Sequence, residues 1–114
     1  MELIREHRFD EQHNRHDNSE LPVIRVAAGS RTASVAGAVA GMIREHNFAE
    51  VRAIGASAVN QSVKAITLAR GFLSEDGIEI CFYPEFEDVE IDGHQRTSIK
   101  FKVSGKAFEL RGKN

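Results

Sequence analysis

The sequence predicts an α/β protein of the α+β two-layer sandwich type, in which both helices cover one face of a mixed four-stranded sheet. Two strand-like runs are each followed by a glycine-containing turn and a helical pattern, and two alternating runs come last. Asp92-Gly93, between these last two runs, is a residue pair preferred in two-residue hairpin turns. The predicted order is therefore β-α-β-α-β-β, and a right-handed crossover makes the first two strands parallel.

The first strand and helix follow Pro22. Residues 23–26 (Val-Ile-Arg-Val) favour a strand that ends before Gly29. Ser30 or Thr32 is then a candidate N-cap for a helix that runs to about His46.

The second strand and helix repeat this arrangement. Residues 49–54 favour a strand that ends at Gly55. Ser57 is a candidate N-cap of the second helix, and Gly71 is a candidate stop in left-handed conformation.

The last two strands form a hairpin. Apolar and polar residues alternate over 78–83, which predicts a half-buried strand that Pro84 interrupts, and the alternation resumes over 89–92. The return strand places one apolar set on a single face: Ile99, Phe101 and Val103. The opposite face carries Ser98, Lys100 and Lys102.

Length and composition set broad limits on function. With 114 residues and a net charge of -2, the chain is one small domain that bulk charge does not hold on nucleic acid. No apolar run approaches the roughly 20 residues of a membrane helix, and the lone Cys81 permits no internal disulfide. We expect a cytoplasmic protein with no membrane contact.

The distribution of charged residues along the sequence separates an N-terminal extension from the rest of the chain. We expect residues 1–21 to form a charged extension that is either flexible or conditionally docked, since residues 1–20 hold six acids and three arginines and few large apolar residues. Residues 22–104 form the folded domain and residues 105–114 a tail. The three histidines of the extension (His7, His13 and His16) fit no standard zinc spacing, and we expect neither a metal nor a cofactor.

The two turns that precede the helices are the best candidate site. The first carries Gly29, Ser30, Arg31 and Thr32, and the second carries Gly55 and Ser57. Helix N-termini that start at the same sheet edge favour an anion. Glycines let a phosphate approach the main chain, and the Arg31 guanidinium can donate two hydrogen bonds to it. Ordinary tight turns with Ser and Thr caps are the alternative. There is no Walker or GxGxxG sequence, so the pattern does not support a nucleotide-hydrolysing or dinucleotide-binding enzyme.

Each helix also presents an unusual outward face. On the first helix a strip of small residues lies opposite the sheet: Ser34, Gly37, Ala38 and Gly41. Because each interior glycine costs about 1 kcal/mol relative to alanine, this strip indicates close approach of another backbone. That backbone belongs either to another subunit or to the chain's own second helix. On the second helix, Asn60 and Lys64, with Gln61 at the edge, form a polar face that fits a ligand, a subunit contact or an ordinary surface.

The hairpin shows fewer signs of nucleic-acid binding. Its acidic run, which comprises Glu85, Glu87, Asp88, Glu90 and Asp92, predicts a solvated edge that discourages strand pairing. The seven phenylalanines mostly occupy core-like positions, so the sequence predicts no aromatic stacking platform. Lys100, Lys102 and Lys106 are either a second basic strip or a solvated face.

Five segments in this order resemble the stage V sporulation protein S (SpoVS) family. They are residues 34–41 (Ser-Val-Ala-Gly-Ala-Val-Ala-Gly), 53–66 with Val-Asn-Gln-Ser-Val-Lys at its centre, 69–72, 91–93 and 96–100. The resemblance runs from about Pro22 to Val103.

The resemblance implies a small, bacterial, non-enzymatic protein linked to sporulation and developmental regulation. It also implies kinship in fold with Alba, an archaeal chromatin and RNA-binding protein that dimerises. Alba-like proteins lay nucleic acid across the turn before the first helix, the start of the second helix and a projecting hairpin. Arg31 and the group Asn60, Gln61 and Lys64 match the first two of these places, whereas Ser30-Arg31 replaces the usual paired lysines.

We therefore expect a non-enzymatic, Alba-like nucleic-acid-binding or regulatory protein that works as a dimer or larger homo-oligomer on DNA or RNA. The alternative is an oligomerising interaction or scaffold module that binds no nucleic acid.

Overall fold

A computed structural model describes residues 21–108 of the chain. The elements are β1 (Ile24–Val26), α1 (Thr32–His46), β2 (Phe48–Ala53), α2 (Ala56–Ser74), β3 (Ile78–Ile91) and β4 (His94–Ala107). The sheet order is β1-β2-β4-β3, with β1 parallel to β2 and β4 antiparallel to both of its neighbours. The predicted element order and the α+β sandwich are confirmed, and the arrangement is consistent with an Alba-like fold. Residues 1–20, including the three histidines of the extension, lie outside the described residues, as do residues 109–114.

The core lies between the two helices and one face of the sheet. Alternate residues of β2 are buried there, while the residues between them lie half-buried on the other face. The largest fully buried apolar side chains are Val39 and Ile43 of α1, Leu73 of α2, Val51 of β2 and Val103 of β4. The opposite face of the sheet, on which neither helix of the described residues lies, is called the open face below.

The start of α1 differs from the sequence prediction. Neither Ser30 nor Thr32 caps the helix; Arg31 occupies the N-cap position without a side-chain hydrogen bond. The Ser30 hydroxyl instead accepts a hydrogen bond from the Ala27 N–H at 2.8 Å and closes the preceding turn. The helix ends at His46, as predicted, because Asn47 adopts the left-handed conformation with φ of 61°.

Helix α2 also differs at both ends. Gly55, not Ser57, is its N-cap, and no side chain caps it. Gly71 does not stop the helix, which continues to Ser74. The left-handed glycine lies later, at Gly77 with φ of 74°. The chain therefore adopts the left-handed conformation three residues after the helix ends at Ser74.

Pro84 does not interrupt the hairpin, contrary to the prediction. Residues 78–91 pair without a break with residues 94–107, and the predicted Asp92-Gly93 turn is confirmed, with φ of 53° and 78°. Ile91 and His94 flank this turn as a hydrogen-bonded pair, and hydrogen-bonded and non-hydrogen-bonded pairs alternate from there. Because the Pro84–Phe101 pair is seven steps from the Ile91–His94 pair, it is a non-hydrogen-bonded pair. Since β3 is an edge strand, the position requires no N–H.

Candidate functional site

The two strand-to-helix turns lie side by side at one edge of the sheet. Val26 and Ala53, the last residues of β1 and β2, are paired in parallel register, so both turns leave from the same level. Gln61 joins the two turns: its Nε2 donates to the main-chain oxygen of Ser30 at 2.7 Å and lies 3.3 Å from Thr32 Oγ1. The structure thus places side by side the two helix N-termini that the sequence analysis selected as the candidate site.

Each helix start leaves main-chain donors available. The first helical hydrogen bonds run from Val35 N–H to Arg31 and from Val59 N–H to Gly55. The three N–H groups before each of these have no acceptor within their helix, and no side chain caps them. Neither helix carries an acidic residue in its first turn. Two positive helix ends therefore lie next to each other without a carboxylate in either first turn.

The exposed residues around these helix ends fit an anion. Gly29, Arg31, Gly55 and Ser57 are exposed, and Gly55 has φ of 95°, a conformation that residues other than glycine rarely adopt. Within residues 21–108 no ion pair engages Arg31, whereas Arg44 and Arg52 both pair with carboxylates. Among the described residues, the exposed Arg31 guanidinium therefore has no carboxylate that compensates its charge.

The predicted polar face of α2 adjoins this place. Asn60 and Lys64 are exposed, and Gln61 is half-buried because its amide reaches the first turn. Lys64 lies about one helical turn beyond Gln61, and no ion pair within the described part of the chain involves it. Arg31 lies at the start of α1, while Asn60 and Lys64 lie about one and two turns beyond the first residue of α2. The two adjacent helix starts are called the paired N-termini below.

Two of the three lysines on β4 do not form a second basic strip. Lys100 Nζ lies 3.6 Å from Glu87 and 3.9 Å from Glu50 on the open face, and Lys102 Nζ lies 3.6 Å from Glu85. Arg52 joins the same cluster, with its Nε 3.0 Å from a Glu87 oxygen but not aimed along a hydrogen bond. The cluster neutralises its own charge.

The acidic run of the hairpin divides between two faces. Glu85 and Glu87 lie half-buried in the open-face cluster, so they do not form the solvated edge that the sequence predicted. Asp88, Glu90 and Asp92 are exposed, and the Thr97 hydroxyl donates to Asp88 at 3.5 Å. The prediction holds for the end of the hairpin near the turn alone.

The strip of small residues on α1 faces away from the molecule. Ser34, Gly37 and Ala38 are exposed and Gly41 is half-buried. A Cβ added at Gly37 or Gly41 would meet no atom within 4 Å. Helix α2 therefore does not approach these glycines, and contact with the chain's own second helix does not explain the strip.

One exposed aromatic residue was missed by the sequence argument. Phe86 is 80% exposed, whereas Phe82 and Phe101 pack edge to face in the core at 5.2 Å. The predicted alternation stopped at Pro84 and resumed at Val89, so it included no separate prediction for Phe86. Its exposure follows from its place on an edge strand that no helix covers at that level, which sequence spacing does not reveal.

The described residues contain neither a metal-binding cluster nor a membrane-spanning helix. No group of three or more His, Cys, Asp or Glu side chains in 21–108 is arranged to hold a metal ion. Neither helix in this part of the chain is long and apolar enough to cross a membrane.

Comparison with known protein families gives one match. The family model of stage V sporulation protein S (SpoVS) matches residues 22–106, which span every helix and nearly all of every strand described above. This range is well over half of the 114 residues. The chain therefore belongs to the SpoVS family, and this membership supports a sporulation-associated protein.

Proposed function

We propose that this protein is a non-enzymatic nucleic-acid-binding regulator that holds the phosphates of DNA or RNA at the paired N-termini. The observation that carries the proposal is the Gln61 hydrogen bond to Ser30, which fixes two uncapped helix starts next to each other. Main-chain N–H groups and Arg31 contact phosphate, while Asn60, Gln61 and Lys64 line the adjoining groove.

The charge balance sets the expected strength of binding. The net charge of -2 provides no long-range attraction, so binding depends on a few local contacts. With Arg31 and Lys64 as the phosphate-contacting cations, log K falls with log salt with a slope of roughly -2 per protomer. Binding is therefore modest in affinity and insensitive to base sequence at these contacts.

The test is a salt-dependent titration of the full chain with DNA and RNA. Arg31→Glu is expected to weaken binding about 10- to 100-fold at low salt, the range for the loss of a charge-assisted hydrogen bond, and to do so equally for all sequences. Lys106→Glu is the matched control, because it makes the same change of charge at an exposed residue near the far end of β4.

Three results would count against the proposal. The first is unchanged affinity of Arg31→Glu, and the second is an equal loss in the Lys106→Glu control. The third is no binding of the unaltered chain to either nucleic acid at low salt.

The second candidate function is an oligomerising scaffold without nucleic acid. The exposed strip on α1 favours it, because Gly37 and Gly41 leave open space where a second backbone fits. In this case Gly41→Leu alters the sedimentation coefficient by blocking close approach. A sedimentation coefficient that is the same, and that of a monomer, for both proteins would reject this candidate.

A further inference from the structure

Phe86 exposes an aromatic ring on the edge strand of the sheet. Its exposed fraction is 80%, while no other large apolar side chain within residues 21–108 exceeds 43%. An aromatic side chain left in water forgoes about 1.5–3 kcal/mol of burial free energy. A polar residue at this edge position would pair with Ile99 equally well in the backbone ladder.

The strand register places Phe86 at the level of the paired N-termini. Val26, Ala53, Ile99 and Phe86 form one row across the four strands. Val26 and Ala53 are the residues after which the two turns begin. At about 4.8 Å between strands, the Phe86 Cα lies roughly 10 Å from that of Ala53 and roughly 14 Å from that of Val26.

Phe86 also shares its face with the helices. Cross-strand partners lie on the same side of a sheet, and Ile99 packs against the core that the helices cover. Because Phe86 and Ile99 form a non-hydrogen-bonded pair, their Cβ atoms lie close together, which makes Ile99 the cross-strand neighbour of the ring. The outer side of the ring is open.

We propose that Phe86 is a stacking surface for an unpaired base, which makes single-stranded nucleic acid the ligand class of this protein. The inference rests on the proposed function, since the paired N-termini hold the phosphates of the same strand. A phenyl ring has no hydrogen-bonding group with which to read a base edge, but it stacks on the face of every base. In a duplex those faces are covered by neighbouring base pairs.

The charges near the ring are compatible with a strand that crosses the hairpin. Glu85 and Glu87 project to the open face, where lysines neutralise them. Asp88 and Glu90 lie on the same face as Phe86, two and four residues closer to the hairpin turn. These two carboxylates direct the strand away from the hairpin tip and toward the helix starts.

A second copy of the chain fits the ring less well than a base does. The core of a protein interface is a contiguous apolar patch with few charges. Phe86 is flanked on its own face by Pro84 and Asp88, and across the ladder Thr97 adjoins Ile99. Asp88 and Glu90 bound this face on the side of the hairpin turn. The apolar surface next to the ring is therefore limited to Pro84 and Ile99, which matches one base rather than the core of a dimer.

The experiment uses the absence of tryptophan from the sequence. Phe86→Trp makes the full chain report on stacking at that position alone, since a stacked base quenches indole fluorescence. Phe72→Trp, at a residue 40% exposed in α2, is the matched control. Both variants are titrated with oligothymidylate and with a duplex of the same length. Saturable quenching of Phe86→Trp by the single strand, without quenching of Phe72→Trp, is the expected result.

Phe86→Ala provides the affinity readout. Loss of one stacked base corresponds to about 5- to 150-fold weaker binding of the single strand, from about 1–3 kcal/mol per base, with duplex affinity unchanged. If Arg31→Glu weakens binding but Phe86→Ala does not, the stacking inference is wrong while the proposed function stands. If the unaltered chain binds no nucleic acid, both fail. If Phe86→Ala instead changes the sedimentation coefficient, the ring belongs to a subunit contact and the inference is overturned.

Discussion

The side-chain amide of Gln61 donates to the main-chain oxygen of Ser30 at 2.7 Å, across 31 residues of sequence. The bond links the first turns of α2 to the turn that leads into α1. The same nitrogen lies 3.3 Å from the hydroxyl oxygen of Thr32. Because the bond is partly buried, water competes with it less than with a surface hydrogen bond, and it fixes the relative position of the two helix starts.

Replacement of Gln61 is expected to affect binding more than folding. Gln61→Ala removes one net hydrogen bond, worth about 1 kcal/mol, and leaves the helix starts less firmly positioned. Gln61→Glu places a carboxylate against the Ser30 oxygen and between two positive helix ends, so it weakens nucleic-acid binding further than alanine does. Urea denaturation and a low-salt binding titration measure the two effects.

Asn60→Ala is the control for the stability measurement alone, because Asn60 is exposed one residue earlier on the same helix. Its effect on the free energy of unfolding should stay within about 0.5 kcal/mol. If both Gln61 variants bound nucleic acid as tightly as the unaltered chain, the bridge would have no part in the site.

Hydrogen-bond competition explains why the predicted helix caps were wrong although the turns themselves were predicted. The sequence located both turns from glycine and hydroxyl residues. Ser30, however, uses its hydroxyl to accept the N–H of Ala27, and its carbonyl oxygen accepts from Gln61. A one-dimensional pattern shows neither which nearby N–H the Ser30 hydroxyl accepts from nor that the distant Gln61 amide bonds the Ser30 carbonyl oxygen. The same limitation hid the bridge itself.

The hairpin shows a second limit of sequence reasoning. The Asp92-Gly93 turn was predictable because its two positive φ angles require such residues. The strand accommodates Pro84 because Pro84 belongs to a non-hydrogen-bonded pair and because β3 is an edge strand. The edge position is known only once the sheet order is known. Phe86 escaped notice for a related reason, since face alternation was predictable but helix coverage of that face was not.

Gly105→Ala is expected to destabilise the fold. A Cβ at this position would lie 2.6 Å from Ile43 Cγ2 and 3.3 Å from Ile78 Cγ2, and Ile43 is fully buried. Forcing a methyl group into such a packed core costs about 1–3 kcal/mol. The free energy of unfolding in urea measures the loss. In the background of Ile43→Ala the added cost should nearly vanish, since that change removes the clashing methyl group.

Gly71→Ala is the opposite case and the matched control. Gly71 lies inside α2, and a Cβ there meets no atom within 4 Å. Alanine should therefore raise the free energy of unfolding by about 0.5–1 kcal/mol through helix propensity. Destabilisation by this change would contradict the continuous helix through residue 71.

The open-face cluster should contribute a salt-dependent part of the stability. Glu87 contacts Arg52 at 3.0 Å and Lys100 at 3.6 Å, and all three side chains are at most 30% exposed. Glu87→Gln leaves both cations with less compensation and should lower the free energy of unfolding by about 1 kcal/mol. The loss should shrink at high salt. Glu90→Gln, at an exposed residue without an ion pair in the described part of the chain, should change little; equal losses would discount the cluster.

Pro84 is expected to protect the exposed edge of the sheet. Its backbone nitrogen points away from β4, toward solvent, because Pro84 and Phe101 form a non-hydrogen-bonded pair. Pro84→Val adds an outward N–H and a β-branched side chain to a 14-residue edge strand, so self-association through that edge should increase. Pro84→Lys restores the same N–H but keeps edges apart by charge, and it should remain as dispersed as the unaltered chain. Light scattering against protein concentration separates the two variants. Association of both to the same degree would mean that the missing N–H, rather than edge chemistry as a whole, is what proline contributes; association of neither would mean that the edge is protected by other residues.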